Sequence, residues 1–250
     1  MGFKDHFSGH AGGYAQARPT YPEALFDWLA AQCPRHERAW DAGCGNGQAS
    51  LALAHRFRRV HASDPSAAQV AAAPDDARIA WRVEPAEACS LPDASVDLVT
   101  VAQAYHWFDH ARFCAEVRRV LRPEGVVALW AYGLSKVTPA VDAVVLRLYD
   151  GALGPYWPPE RRHVENGYRE LPFPFTELAA PRFGMRQHWT LAQYLAYLGS
   201  WSASQRHLKD TGRDAVAEAA DAMALAWGDP GQVQTVTWPL ALRVGRLTVV

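Results

Sequence analysis

The stretch that most limits what this chain can become is residues 38–54. It reads Arg38-Ala39-Trp40-Asp41-Ala42-Gly43-Cys44-Gly45-Asn46-Gly47-Gln48-Ala49-Ser50, followed by Leu51-Ala52-Leu53-Ala54. A short apolar run meets an acid, three glycines alternate with other residues, and a helix-favouring segment follows. Glycine lets the backbone adopt positive φ and lets a ligand come close where a Cβ would block it. The first-turn N–H groups of a helix that starts there have no partner within the helix and face whatever is bound. A strand, a tight turn and a helix N-terminus in succession form a site for a polar cofactor.

The rest of the first half repeats the strand–helix alternation. Pro22 can open a helix that runs to about Gln32, with Leu25, Phe26 and Leu29 inward. Strands are expected near 38–42, 59–64, 78–84, 96–102 and 125–130, with helices near 47–57, 66–73 and 109–121. Val96 to Ala102 is a β-branched run suited to a central strand, and Phe113, Val117, Val120 and Leu121 share one helical face. Alternation of this kind implies right-handed crossovers and a mostly parallel sheet covered on both faces, an α/β fold. After Tyr132 the pattern changes. Residues 133–182 are rich in proline and have room for two helices, a strand is expected at 183–189, helices at 191–198 and 214–227, and a terminal strand or hairpin from Trp238.

Length and charge narrow the function classes. A chain of 250 residues suits one domain with a substantial insertion. Lys+Arg 25 against Asp+Glu 26, with the arginines scattered, argues against a nucleic-acid partner. Cys33, Cys44, Cys89 and Cys114 form no C-x-x-C pair, so free thiols in a reducing cytoplasm are expected. The N-terminus has no apolar signal region. Position 6 is His6, which breaks a myristoylation motif, and no apolar stretch is long enough to span a membrane.

Four features stand where a nucleoside-containing cofactor needs them. The glycine turn is the first. Asp64 closes the second strand, where an acid can accept hydrogen bonds from both ribose hydroxyls. Pro85-Ala86-Glu87 follows the third strand and can frame an adenine through backbone N–H groups and one side chain. Gln103 to Trp107 follows the fourth strand, at the carboxyl edge where open α/β sheets bind ligands. Singly the glycines are a weak sign; the four in order are a strong one.

Asp41 to Gly47 resembles motif I of class I S-adenosylmethionine-dependent methyltransferases. Glu87, Leu91-Pro92-Asp93 and Ser95 to Val99 resemble that family's approach to its fourth strand, and Leu121 to Gly125 its turn into the fifth. Tyr14 to Pro22 and Ala104 to Asp109 are similar to the methyltransferase type 11 branch that includes trans-aconitate methyltransferase-like proteins. The match is specific over residues 3–132 and thin beyond. Ala86 departs from it, since many relatives carry Asp there.

The resemblance implies a Rossmann-like, seven-stranded sheet of order 3-2-1-4-5-7-6, with residues 238–244 as the strand inserted beside strand five. It implies S-adenosylmethionine as cofactor and S-adenosylhomocysteine as product, held by Gly43, Gly45 and Gly47, with Asp64 on the ribose and Ala86 and Glu87 by the adenine. Asp41, Cys44, Gln48 and Pro65, which flank the turn and Asp64, complete that set, Cys44 as a small residue fitted to the turn. The methionine end is expected between the turn, Gln103 and an N-terminal arm bearing Tyr14 and Arg18, the arginine facing the carboxylate. On this reading residues 1–34 form a lid and capping helix, 35–132 the cofactor-binding core, 133–182 an acceptor-side cap, and 183–250 the elements that complete the sheet.

Methyl transfer needs little covalent help, so the acceptor side is less marked. A carboxylate acceptor needs no base. A phenol, amine or carbon acid needs one, for which His106 or His10 is placed. Trp107, Trp157 and Trp201 are candidates for lining the acceptor. His106-x-x-Asp109-His110 has the spacing of a helical metal pair, but Trp107 and Phe108 interrupt it and no third ligand is evident, so no metal is expected. The expectation is therefore a cytoplasmic enzyme, monomer or homodimer, that methylates a small molecule. Two rivals remain: an NAD(P)-dependent oxidoreductase, which shares the glycine turn and the acid, and a non-catalytic S-adenosylmethionine-binding protein.

Overall fold

A computed structural model describes residues 19–247. Its framework is an eight-stranded sheet. Helix α1 (Glu23–Ala31) leads to β1 (Arg38–Ala42), α2 (Gln48–Ala54), β2 (Arg59–Asp64), α3 (Ala67–Ala71), β3 (Ile79–Val83), β4 (Val96–Ala102), α4 (His110–Val120) and β5 (Leu121–Tyr132). The second half adds α5 (Pro139–Asp150), α6 (Arg161–Glu165), β6 (Thr176–Glu177), β7 (Gly184–Trp189), α7 (Leu191–Gly199), α8 (Ser202–Thr211), α9 (Ala215–Glu218), α10 (Ala220–Trp227) and β8 (Gln234–Arg246).

The strand order is β3-β2-β1-β4-β5-β8-β6, with β7 also on β8. Strands β1 to β5 are parallel and β8 runs antiparallel to β5. Strand β8 takes the seventh place of the expected order. The sixth place is shared by two segments, because β6 pairs with the end of β8 and β7 with its start. Leu178 N–H still donates to Val244 O at 2.8 Å and Leu240 N–H to Phe183 O at 3.0 Å, so both segments follow one edge of β8 on either side of a detour at 179–182. Pro239, which has no N–H to give, stands where β8 passes from β7 to β5.

Two cores cover the faces of the parallel strands. Leu25, Phe26 and Leu29 of α1 and Leu53 of α2 pack on Val60, Leu98, Val126 and Trp130. On the other face Phe113, Val117 and Val120 of α4 pack on Trp40, Val99 and Val127, joined by Val164, Tyr168 and Phe175 from beyond β5. A third core gathers α5 with α7, α10, Met185 and the fully buried Trp238.

Several boundaries differ from the sequence expectation. Strand β5 extends beyond residues 125–130 at both ends, and β8 starts four residues before Trp238. The helix expected at 214–227 is broken at Ala219 into α9 and α10. Helix α8 was not expected at all. It buries only Ala203, Ser204 and His207, so it shows no apolar period for a pattern to detect.

Candidate active site

The turn between β1 and α2 is built as its glycines require. Gly43, Gly45 and Gly47 have φ of +68°, +55° and +91°. A Cβ on Gly43 would stand 2.7 Å from the Ala104 Cβ, and one on Gly47 would stand 2.2 Å from Trp81 Cη2. Close packing from β3 and from the segment after β4 therefore leaves no room for a side chain at either position. Asp64, at the end of β2, closes over the turn: Gly45 N–H donates to Oδ2 at 2.9 Å and Ser66 N–H to Oδ1 at 2.8 Å. Pro65 is half-buried beside it.

Asp41 stands behind the turn. It is wholly buried, and its carboxylate accepts from Ser50 Oγ at 2.6 Å and Thr100 Oγ1 at 3.0 Å. Burial pushes its pKa up to about 6, against the pull of those two hydroxyls. The expectation of Asp41 as a cofactor contact is replaced by an internal role, since it ties β1, β4 and α2 together from within. Cys44 is buried and its thiol is pushed up by burial, which suits a small inert residue. Gln48 reaches away from the turn, its Nε2 donating to Pro19 O at 3.0 Å.

Ala86 is buried after β3, and Glu87 Oε1 accepts from Asp109 N–H at 2.8 Å. Glu87 therefore joins the segment after β3 to the block after β4. Gln103 adopts φ +58°, a strained conformation for a side-chain-bearing residue. Its Oε1 accepts from Tyr132 N–H at 2.8 Å and its Nε2 donates to Tyr132 O at 3.0 Å. The side chain expected to face the methionine end is thus engaged by β5, and the left-handed backbone directs the chain out of β4. Tyr14, Arg18 and His10 lie outside the described residues.

The block after β4 meets α6 and the loop behind it. Tyr168, fully buried at φ +62°, sets its hydroxyl 2.9 Å from His106 Nδ1, with the two rings stacked at 5.9 Å. Burial lowers the His106 pKa to about 3, helped by the positive field of Arg161 and by His163 and His110. His106 is neutral. Trp107 packs on it at 4.6 Å. Trp157 and Trp201 meet each other at 5.6 Å and share Tyr149 as a neighbour, at 4.7 and 6.1 Å. Arg161 lies over the Trp157 ring at 5.0 Å and donates from Nε to Tyr149 Oη at 2.9 Å. The three tryptophans therefore form two groups, Trp107 beside His106 and Trp157 with Trp201, with Arg161 between them electrostatically. Sequence reasoning missed Tyr168 and Arg161. No period or motif marks either; only Gly167 before Tyr168, itself at φ +65°, signals a special turn.

The spacing His106-x-x-Asp109-His110 resolves into separate partners. His110 Nε2 lies 3.2 Å from Tyr105 O, and Asp109 caps α4 by accepting from Arg112 N–H at 3.2 Å. Among the described residues no group of three or more His, Cys, Asp or Glu is placed to hold a metal, and no helix is long and apolar enough to cross a membrane.

Comparison with known proteins now bears on this geometry. Residues 40–129 match the family described as Methyltransferase domain. A Dictyostelium discoideum protein named as a methyltransferase is 32% identical over 229 residues, covering 90% of this chain and 87% of that one. A Saccharomyces cerevisiae protein named as an S-adenosylmethionine-dependent methyltransferase is 31% identical over 128 residues, 48% of this chain and 44% of that one. A solved structure from Anaeromyxobacter dehalogenans, named as a type II methyltransferase, is 54% identical, covers 93% of this chain and 99% of that one, and superposes with a TM-score of 0.87. These matches do not favour the oxidoreductase reading. With the left-handed glycine turn, Asp64 at the end of β2 and the inserted antiparallel β8, they show that the chain belongs to the class I S-adenosylmethionine-dependent methyltransferases.

Proposed function

We propose that this protein transfers a methyl group from S-adenosylmethionine to an oxygen of a small-molecule acceptor, a hydroxyl or a carboxylate. The observation that carries the reading is the coupling of three left-handed glycines to Asp64 through the Gly45 N–H. When bound, the cofactor supplies an electrophilic methyl on a sulfonium.

The chain's own residues orient the partners and keep water out. Gly43, Gly45 and Gly47 bring backbone against the cofactor, Asp64 accepts from its ribose, and Ala86 and Glu87 flank its adenine. To an N-terminal arm bearing Tyr14 and Arg18 we assign the methionine end, with His10 as an acceptor-side candidate, while α1 is the capping helix packed on the sheet. Residues 133–182 cap the acceptor, which Trp107, Trp157 and Trp201 line. Holding donor and acceptor in line is worth up to about 7–11 kcal/mol of barrier in favourable cases. An acceptor hydroxyl becomes strongly acidic as its oxygen gains the methyl. His106, kept neutral by burial, can then take the proton at Nε2 in the tautomer whose Nδ1, held 2.9 Å from Tyr168 Oη, carries the hydrogen, even though it is a weak base.

Calorimetric titration with S-adenosylhomocysteine and with NAD tests the cofactor. Binding of S-adenosylhomocysteine is expected; binding of NAD alone overturns the reading. Incubation with labelled S-adenosylmethionine and a panel of hydroxyl and carboxylate acceptors tests turnover. Tight cofactor binding with no methylation across the panel favours a non-catalytic binding protein.

A further inference from the structure

Helix α6 carries polar groups that the fold leaves unanswered. Arg161 is half-buried, its Nε donates to Tyr149 Oη, and its guanidinium lies 5.0 Å from the Trp157 ring centre and 5.7 Å from that of Tyr149. Among the described residues no carboxylate stands within ion-pair distance of it, and its terminal nitrogens have no hydrogen-bond partner. The nearest route to an acid passes through Tyr149, whose hydroxyl donates to the exposed Glu165. On the same short segment His163 Nδ1 and Asn166 Oδ1 are buried without a partner. Buried polar atoms in folded proteins are almost always satisfied, and the half-buried Arg161 keeps its terminal nitrogens open to an incoming group. Among the described residues, a guanidinium without an acid and two unsatisfied buried atoms within six residues mark a segment that a ligand completes.

We infer that Arg161, flanked by the Trp157 and Tyr149 rings, holds the carboxylate of an acceptor whose body is aromatic or otherwise apolar, at a point separate from the oxygen that is methylated. This rests on the reading of the chain as a small-molecule methyltransferase. A guanidinium presents two parallel N–H groups that match a carboxylate, and its plane stacks on aromatic rings, so the flanking indole and phenol hold it in a fixed orientation. A carboxylate gripped in this way has its lone pairs and charge engaged, which makes it a poor nucleophile. The methyl therefore goes elsewhere on the acceptor, toward His106. An anion seated at Arg161 also offsets the positive field that this arginine sets against His106.

The test uses trans-cinnamate and its neutral isostere cinnamamide as probes, titrated calorimetrically into the full-length protein saturated with S-adenosylhomocysteine. The expected result is cinnamate binding at least tenfold tighter than cinnamamide, with Arg161→Gln abolishing the preference and Arg161→Lys keeping part of it. S-adenosylhomocysteine affinity should stay unchanged in both variants. No cinnamate binding by protein that has bound S-adenosylhomocysteine overturns the inference. So does equal binding of acid and amide, or an Arg161→Gln protein that still prefers the acid. Failure to bind S-adenosylhomocysteine strikes instead at the methyltransferase reading. Should Arg161→Gln not fold, the acid–amide comparison on the unaltered protein decides.

Discussion

Gly45→Ala and Gly47→Ala together separate backbone strain from steric exclusion in the turn. Both positions have positive φ, +55° and +91°. Placing an L-residue in the left-handed region costs roughly 1–2 kcal/mol at either site. The surroundings differ. The nearest atom to a Cβ on Gly45 is Gln69 Oε1 at 3.9 Å, ordinary contact, whereas a Cβ on Gly47 meets Trp81 Cη2 at 2.2 Å and Cζ3 at 2.8 Å. The indole would have to move, and forcing a packed side chain aside costs about 1–3 kcal/mol more. Gly45→Ala should therefore lower stability by ~1–2 kcal/mol and Gly47→Ala by ~2–5 kcal/mol. Urea unfolding at pH 7 reads both as a shift in midpoint at unchanged slope. In a cycle with Trp81→Leu, the Gly47→Ala penalty should shrink toward that of Gly45→Ala, because the obstructing ring is gone. If the two single variants agree within about 0.5 kcal/mol, Trp81 does not exclude a side chain at Gly47 and the packing argument fails.

Other outcomes follow from the same site. Asp64→Ala should weaken S-adenosylhomocysteine binding by about 1–3 kcal/mol, through loss of charge-assisted bonds and release of Gly45 and Ser66, and unchanged affinity in calorimetry would remove Asp64 from the ribose. Asp41 has a folded-state pKa raised from 3.8 to about 6, so its contribution is fully present below the unfolded value and is lost as pH rises through that window. Asp41→Asn should therefore be relatively more stable above pH 6, by roughly 2–3 kcal/mol at most, and equal slopes of stability against pH between 4 and 6 in both proteins would refute this. Tyr168→Phe leaves His106 Nδ1 without its partner and should slow methylation of a hydroxyl acceptor while cofactor affinity holds; equal kcat in steady-state assays would take Tyr168 out of the mechanism.

The parts of this protein that could be read in its sequence are those encoded over a few neighbouring residues. Gly43, Gly45 and Gly47 announce a turn because glycine adopts positive φ at the least cost, and Val96 to Ala102 announces a central strand because its run is rich in β-branched residues. Asp64 could be located because the strand pattern that follows the glycine turn ends on it. Asp41 and Gln103 were found as positions, but their side-chain directions depend on Ser50, Thr100 and Tyr132, which only folding brings near. Tyr168 and Arg161 were invisible for the same reason. Their meaning lies in His106, Tyr149 and Trp157, which come from other elements of the fold. The split of the sixth strand likewise follows from what β8 offers along its edge, not from any period within 176–189.

Strand β8 has a consequence for how the protein is made. It is inserted between β5 and the β6–β7 edge, pairing Val126–Tyr132 on one side and Thr176–Glu177 and Gly184–Trp189 on the other. Until residues 234–246 have left the ribosome, β5 presents an open edge whose residues 126–131 are buried and apolar in the finished fold. Such an edge is a template for pairing with another chain. The nascent protein therefore passes through an interval in which the cofactor turn can already form while the sheet beside it remains open to aggregation. Ribosome-bound chains halted before residue 234 should need a chaperone that the complete protein does not.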